Sequence, residues 1–247
     1  MFKLFKRKKT PVVEKVHMIN DDTNFSIIEA YKAIRANINF AIPSQGCKKI
    51  MICSSFSGEG KTTTCINLAI TIAQTGVSVL LIDCDLRRAR VHTLLNENNT
   101  FGVSNYLSNM IQLDRIIKET HIPNLKVITS GSIPPNPAEL LVGPKMGELL
   151  AETEKMMDYI IIDTPPVCIV SDALPVAKLC NGVILIVNHM ETTHTQIKES
   201  LEKLKFAGAN VVGMILNNIK IKHAFKSYKK YNKYKYDKYS YKSTPEE

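Results

Sequence analysis

The sequence predicts an α/β fold: a doubly wound, mostly parallel sheet with helices on both faces, followed by a disordered, tyrosine-rich C-terminal tail. Three observations predict it. Short, near-continuous runs of β-branched and apolar residues alternate with helical patterns, as strands buried on both faces of a parallel sheet require. One of these runs passes through a glycine loop straight into a helix. Beyond Ile219 the apolar periodicity stops and lysine and tyrosine take over. At 247 residues the chain is long enough to bury one full α/β core.

Apolar residues at Ile27, Ile28, Tyr31, Ile34 and Ile38 have helical spacing, predicting a helix over Thr23–Ile42 with Asp22 or Thr23 as N-cap. Glu29, Lys32 and Arg35 fall close to one face of it. A strand is expected at Lys49–Cys53, a helix at Thr62–Thr75 ending at Gly76, and a strand at Val77–Ile82. Next come a helix around Leu113–Thr120, a strand at Leu125–Ile128 and a proline-stiffened loop from Gly131 to Pro137, itself leading into a helix. Strands at Asp158–Ile162, Gly182–Val187 and Val211–Leu216 alternate with helices at Asp172–Leu179 and His194–Ala207.

Between the strand at Lys49–Cys53 and the helix after it lies Cys53-Ser-Ser-Phe-Ser-Gly-Glu-Gly-Lys-Thr-Thr-Thr64. Glycines let backbone N–H groups turn inward around phosphate oxygens, and a helix start adds unpaired donors at its positive end. The pattern is G-x-x-x-x-G-K-[ST] with Ser55 at the first glycine position, so the fold is of the P-loop NTPase type. Ser57, Gly58, Glu59, Gly60, Lys61, Thr62 and Thr63 form the expected phosphate cradle. Lys61 would reach the outer phosphates of ATP, and the Thr62 hydroxyl would coordinate Mg²⁺.

Ligands on such sheets sit at the carboxyl ends of the strands, and two of the apolar runs end there in acidic residues. Val79–Ile82 is followed by Asp83-Cys84-Asp85-Leu86-Arg87-Arg88, and Tyr159–Ile162 by Asp163-Thr164-Pro165-Pro166. Any one aspartate could be a helix cap. Three at one edge would repel one another unless a cation joins them, so Asp83, Asp85 and Asp163, with Thr62, are the expected Mg²⁺ set. A carboxylate left over could accept a proton from an incoming hydroxyl. Lys61, Asp83, Asp85 and Asp163 are the expected catalytic residues. The six histidines are scattered and are assigned to caps and surface.

Charge divides the chain into segments 1–22, 23–219 and 220–247. The net charge is +9, but residues 1–15 carry six Lys/Arg against one acid and residues 220–247 nine Lys against three acids. The ends thus hold +11 and the body −2, so basicity belongs to the tails. The opening Met1–Lys9 is basic without the apolar stretch of a secretory leader, and it suits loose attraction to anionic lipid. No window of 18 apolar residues predicts a membrane span. The six cysteines lack metal-ligand spacing, several sit inside apolar runs, and they read as reduced, small hydrophobes of a cytosolic protein. Six of the nine tyrosines (Tyr228, Tyr231, Tyr234, Tyr236, Tyr239 and Tyr241) are interleaved with lysines in the tail. Such interleaving suits base stacking on nucleic acid or a set of phosphate acceptors. The number of tyrosines favours acceptors.

Together these residues resemble the bacterial tyrosine kinases that control capsule and exopolysaccharide production. The resemblance runs from Glu29 to the tyrosine tail, almost the whole chain. It is carried by Ser54/Ser55-to-Thr62 as Walker A, by Leu80-Leu81-Ile82-Asp83-x-Asp85-x-Arg87 as Walker A′, and by Ile160-Ile161-Ile162-Asp163-x-x-Pro166 as Walker B. The loop Pro134-Pro-Asn-Pro-Ala-Glu-Leu-Leu141 and the tail also match. The resemblance implies ATP- and Mg²⁺-dependent autophosphorylation of the tail tyrosines in trans. It also implies tyrosine-bearing protein substrates and no specific nucleic acid. The family's E-x-x-R-x-x-R ring-assembly motif reads Glu29-x-x-Lys32-x-x-Arg35 here, implying a homo-oligomer. Lysine keeps the charge at that position but loses the planar fork. Members lacking a span are activated by a separate transmembrane protein, which implies the cytoplasmic face of the membrane. The rival class, partitioning and division-site ATPases, carries a lysine where Phe56 stands, and a non-catalytic scaffold would not need Lys61 and three aspartates.

Overall fold

The computed structural model describes residues 18–219 apart from 21 and 44. The basic opening segment and the tail with its six tyrosines lie outside the described residues. Seven strands form one sheet: β1 (Lys48–Ser54), β2 (Val79–Asp83), β3 (Lys118–Glu119), β4 (Leu125–Ile128), β5 (Tyr159–Asp163), β6 (Gly182–Asn188) and β7 (Val211–Asn217). Their order is β3-β4-β2-β5-β1-β6-β7, parallel throughout except for the β3–β4 pair. The central strands β1, β2, β5 and β6 are buried along almost their whole length, which accounts for their unbroken apolar runs.

Helices α1 (Phe25–Ala41), α2 (Lys61–Ala73) and α3 (Val91–Leu95) cover one face, packing Ile38, Ile66, Leu68, Ile72, Val91 and Leu95 against Ile50, Ile52 and Leu81. The other face carries α4 (Val103–Leu107), α5 (Pro137–Val142), α6 (Pro144–Thr153), α7 (Ala173–Ala177) and α8 (His194–Phe206). There Met146, Leu149, Leu150 and Leu204 meet Met51, Leu80, Ile162 and Leu185. The sheet is therefore doubly wound. α2 is buried from Thr64 through Ala73, and it seats the phosphate loop against the centre of the sheet.

Two expectations need correction. The N-cap of α1 is Asn24, whose side chain accepts from the Ser26 N–H at 2.9 Å, not Asp22 or Thr23. Thr23 instead closes a small turn with Asn20. Residues 113–120 are not a helix. A single 3₁₀ turn (Leu113–Arg115) leads into β3, which pairs antiparallel with β4, Lys118 opposite Val127 and Glu119 opposite Lys126. Pairing at the open sheet edge, together with hydrogen bonds from Lys118 to the 98–101 loop, outweighs the local helical pattern.

Candidate active site

Parallel pairing places Asp83, the last residue of β2, directly beside Asp163, the last residue of β5. β1, next to β5, ends at the phosphate loop. Asp85 stands two residues after Asp83. The three expected carboxylates are therefore together, and Lys61, the first residue of α2, lies among them. Its Nζ is 2.6 Å from one Asp163 oxygen and 3.7 Å from Asp85. Its side chain is 7% exposed and that of Asp163 1%. Burial opposes the charge on Lys61, but Asp163 and Asp85 more than offset this and raise its pKa.

Each carboxylate is held differently. Asp83 is fully buried and accepts backbone N–H bonds from Asp85 at 3.1 Å and Val91 at 3.3 Å. Burial, with Asp163 next in effect, pushes its pKa well above the usual carboxylate range. Asp85 accepts from the Arg88 N–H at 3.0 Å and lines an open groove of about 500 Å³ with Phe56, Ser57, Arg87, Pro165, Pro166 and Ile169. Asp163 takes Lys61 and the Cys65 thiol on Oδ1, while its Oδ2 is buried with no hydrogen-bond partner among the described residues. Beyond the pair, Arg87 makes a two-pronged ion pair with buried Asp172, Nε to Oδ2 at 2.6 Å and Nη2 to Oδ1 at 3.2 Å, anchoring the segment after β2.

The loop has the shape that cradling requires. Gly58 and Gly60 adopt φ of 88° and 87°, the left-handed region that only glycine enters freely. Gly60 is the N-cap of α2, so the unpaired donors of the helix start lie beside it. Ser57 and Gly58 are exposed, Thr62 and Thr63 half-buried. The residues fit a nucleotide with its Mg²⁺. A buried carboxylate oxygen without a partner needs a cation or a metal-bound water, and the loop offers donors to an anion. Among the described residues no cluster of three or more His, Cys, Asp or Glu is by itself arranged as a metal cage. This suits Mg²⁺, which prefers one or two carboxylates with phosphate oxygens and waters.

Comparison with known proteins separates the candidate families. Residues 47–196 match the family described as AAA domain. The tyrosine-protein kinase YwqD of Bacillus subtilis is 39% identical over 81% of this chain and 85% of its own length. The chain belongs to the bacterial tyrosine kinases. It spans only 29% of another member, tyrosine-protein kinase Wzc of Salmonella typhi, at 36% identity over 87% of this chain. Among solved structures, the kinase domain of the Escherichia coli tyrosine kinase Etk superposes with a TM-score of 0.76. It is 36% identical and covers 78% of this chain and 75% of that one. The septum site-determining protein MinD of Pyrococcus horikoshii, solved with Mg-ADP, is less similar: TM-score 0.60, 26% identity, 69% of this chain and 70% of that one.

Of the residues expected to assemble this tyrosine kinase, Lys32 pairs with Glu29 at 2.8 Å on the exposed face of α1. Arg35 turns inward and donates to the Thr71 carbonyl at 2.8 Å. Two parts of the site carry no signal in the sequence. Asp172 has only the local look of a helix start, and Asn217, the last residue of β7, belongs to no motif. Asn217 donates to the Glu59 carbonyl at 2.9 Å from 158 positions away, a contact that no local spacing reveals.

Proposed function

We propose that this chain transfers the γ-phosphoryl group of ATP to tyrosine, first to Tyr228, Tyr231, Tyr234, Tyr236, Tyr239 and Tyr241 of a neighbouring copy. The observation that carries the reading is Lys61, held among Asp163 and Asp85 at the start of a buried helix, beside an Asp163 oxygen that lacks a partner among the described residues. Bound Mg²⁺ would neutralise charge developing on the phosphates. Thr62, Asp85 and Asp163 would hold the metal and its waters. Lys61 exchanges its carboxylate contact for phosphate oxygens, and the backbone from Ser57 to Thr63 donates to them. Asp83, held by the Asp85 and Val91 N–H groups beside the metal-holding aspartates, is the carboxylate left to receive the tyrosine proton.

The reading extends to assembly. Glu29 and Lys32, exposed on α1, mark a homo-oligomeric contact, a ring in the family pattern, which Arg35 would join by giving up its bond to the Thr71 carbonyl. Among the described residues no helix is long and apolar enough to cross a membrane. A separate transmembrane activator would hold the kinase at the inner face of the membrane, where it regulates capsular or exopolysaccharide synthesis and export. Residues 220–247 start at +6, and each phosphate adds about −1.5 to −2 charges. Three or four transfers would neutralise the segment and weaken its attraction to the acidic site, making the reaction self-limiting.

The test mixes two full-length chains with radiolabelled ATP and Mg²⁺. One carries Lys61→Met with its tail tyrosines intact, and the other is active with all six tyrosines changed to Phe. Alone, the Lys61→Met chain should label at least about 100-fold more slowly than wild type, as when one electrostatic clamp is lost. Mixed, it should acquire phosphate, and oligomer mass should fall as it does. Near-normal labelling of Lys61→Met alone sinks the site assignment. Labelling at a rate independent of concentration sinks transfer between copies.

A further inference from the structure

The phosphate loop is braced from behind by groups at the ends of β6 and β7. Asn217 closes β7, and its side-chain amide donates to the Glu59 carbonyl at 2.9 Å while its backbone carbonyl accepts from the His189 N–H. The fit is close: a Cβ on Gly60 would lie 1.9 Å from the Asn217 amide nitrogen. The Glu59 side chain, 4% exposed, accepts from the Phe56 N–H at 3.0 Å with one oxygen and from the Thr192 hydroxyl with the other. Thr192 in turn accepts from the N–H of Asn188, the last residue of β6.

Elementary geometry gives this brace a consequence. The Glu59 C=O and the Gly60 N–H belong to one planar trans peptide, so they point in opposite directions, and no cis bond occurs among the described residues. Fixing the carbonyl onto Asn217 turns the Gly60 N–H away from Asn217, toward the side a phosphate would occupy. Without that bond, two left-handed glycines flanking Glu59 leave the peptide plane free to rotate. A loop that must order itself on binding loses affinity in proportion.

We propose that Asn217 is a positioning residue: through the Glu59 carbonyl it presets the phosphate loop for the nucleotide. This role rests on the nucleotide-binding function proposed for the loop and goes beyond it by naming a residue outside every motif. The test uses the full-length chain, with initial labelling rates over a range of Mg-ATP and equilibrium binding of a fluorescent ADP. Losing one hydrogen bond corresponds to roughly a 3- to 10-fold effect. Asn217→Ala and Asn217→Leu should therefore raise the KM for ATP and the Kd for ADP about 3- to 10-fold, with kcat within about twofold. Asn217→Gln, which keeps a donor, should recover most of the loss. If the Ala variant does not fold, Leu, which fills the same space without a donor, carries the test. A Leu variant with wild-type KM and Kd overturns the proposal, as does a loss confined to kcat. Lys61→Met run in parallel separates the two readings. If it binds and labels like wild type, the phosphate-loop reading fails. If it loses both while the Asn217 variants match wild type, only the positioning role falls.

Discussion

Lys61 meets carboxylates. One Asp163 oxygen lies 2.6 Å from its ammonium and Asp85 stands at 3.7 Å, and its pKa is raised despite burial. Lys118, half-buried at the far edge of the same sheet, meets neutral oxygens. It donates to the carbonyls of Asn98 at 2.6 Å and Phe101 at 2.9 Å and to the Thr129 hydroxyl at 2.5 Å. Its pKa is lowered, burial outweighing the pull of Glu97. Both are satisfied in hydrogen bonds, but they differ in what remains. Two carbonyls and a hydroxyl take up the three Lys118 donors and leave no N–H unmet, so that lysine ties the 98–101 loop to β4. Three aspartates stand against one lysine, Lys61, and Asp163 Oδ2 has no hydrogen-bond partner among the described residues. The first arrangement is complete in itself; the second is built for something that arrives.

The sharpest break of this comparison is Lys118→Met. It removes three hydrogen bonds at once, with the Thr129 hydroxyl left to donate to the Asn98 or Phe101 carbonyl, and should cost about 1–3 kcal/mol in denaturant melts, with the KM for ATP within about twofold of wild type. A variant that stays fully stable, or that loses catalysis while folded, would show that Lys118 does more than tie a loop.

A smaller effect of opposite sign should come from Asp83→Asn. The folded-state pKa of Asp83 lies above the unfolded value, so its stability contribution is fully present below about pH 4 and is lost as pH rises through the folded pKa. Its neighbours Asp163, Asp85 and Lys61 share the field. Replacing it should therefore raise the melting temperature of the nucleotide-free chain at neutral pH while slowing labelling. A fall in melting temperature at pH 7 would refute the claim that the site trades stability for charge.

The smallest effect belongs to a third cation, Lys32, whose partner Glu29 is about as exposed as it is, at 48% and 45% of their side chains. Such a pair contributes at most about 0.5 kcal/mol. Lys32→Ala should leave unfolding nearly unchanged, so any salt-sensitive drop in oligomer mass by light scattering belongs to the contact between copies. No change in mass at any concentration removes Lys32 from that contact.

Much of this site is legible in the sequence because parallel strands end at one edge. Once β2 and β5 are recognised, Asp83, Asp85 and Asp163 must gather there, and Gly58 and Gly60 announce the left-handed turns. Other parts are legible yet easily missed. α6 opens on Pro144 and buries Met146, Leu149, Leu150 and Thr153 at helical spacing, a pattern obscured because only Gly143 parts it from α5. The 113–120 segment misleads because Ile116 and Ile117 look helical locally, whereas pairing with β4 decides the outcome. Asn217 is not legible at all. Its partner is 158 residues away, and a strand-terminal asparagine has no spacing to give it meaning.

The cysteines carry a consequence of a different kind. Cys53 in β1, Cys65 in α2 and Cys84 between the two aspartates are fully buried around the nucleotide edge. Burial pushes the Cys53 thiol up to about 12 and the other two well above their ordinary value. Alkylating reagents attack the thiolate, so these three sulfurs stay silent for as long as the middle of the sheet stays shut. Their modification by a small maleimide, tracked residue by residue in a mass spectrometer, therefore works as a clock. It counts the rare openings of the enzyme's centre, with no probe added to the chain.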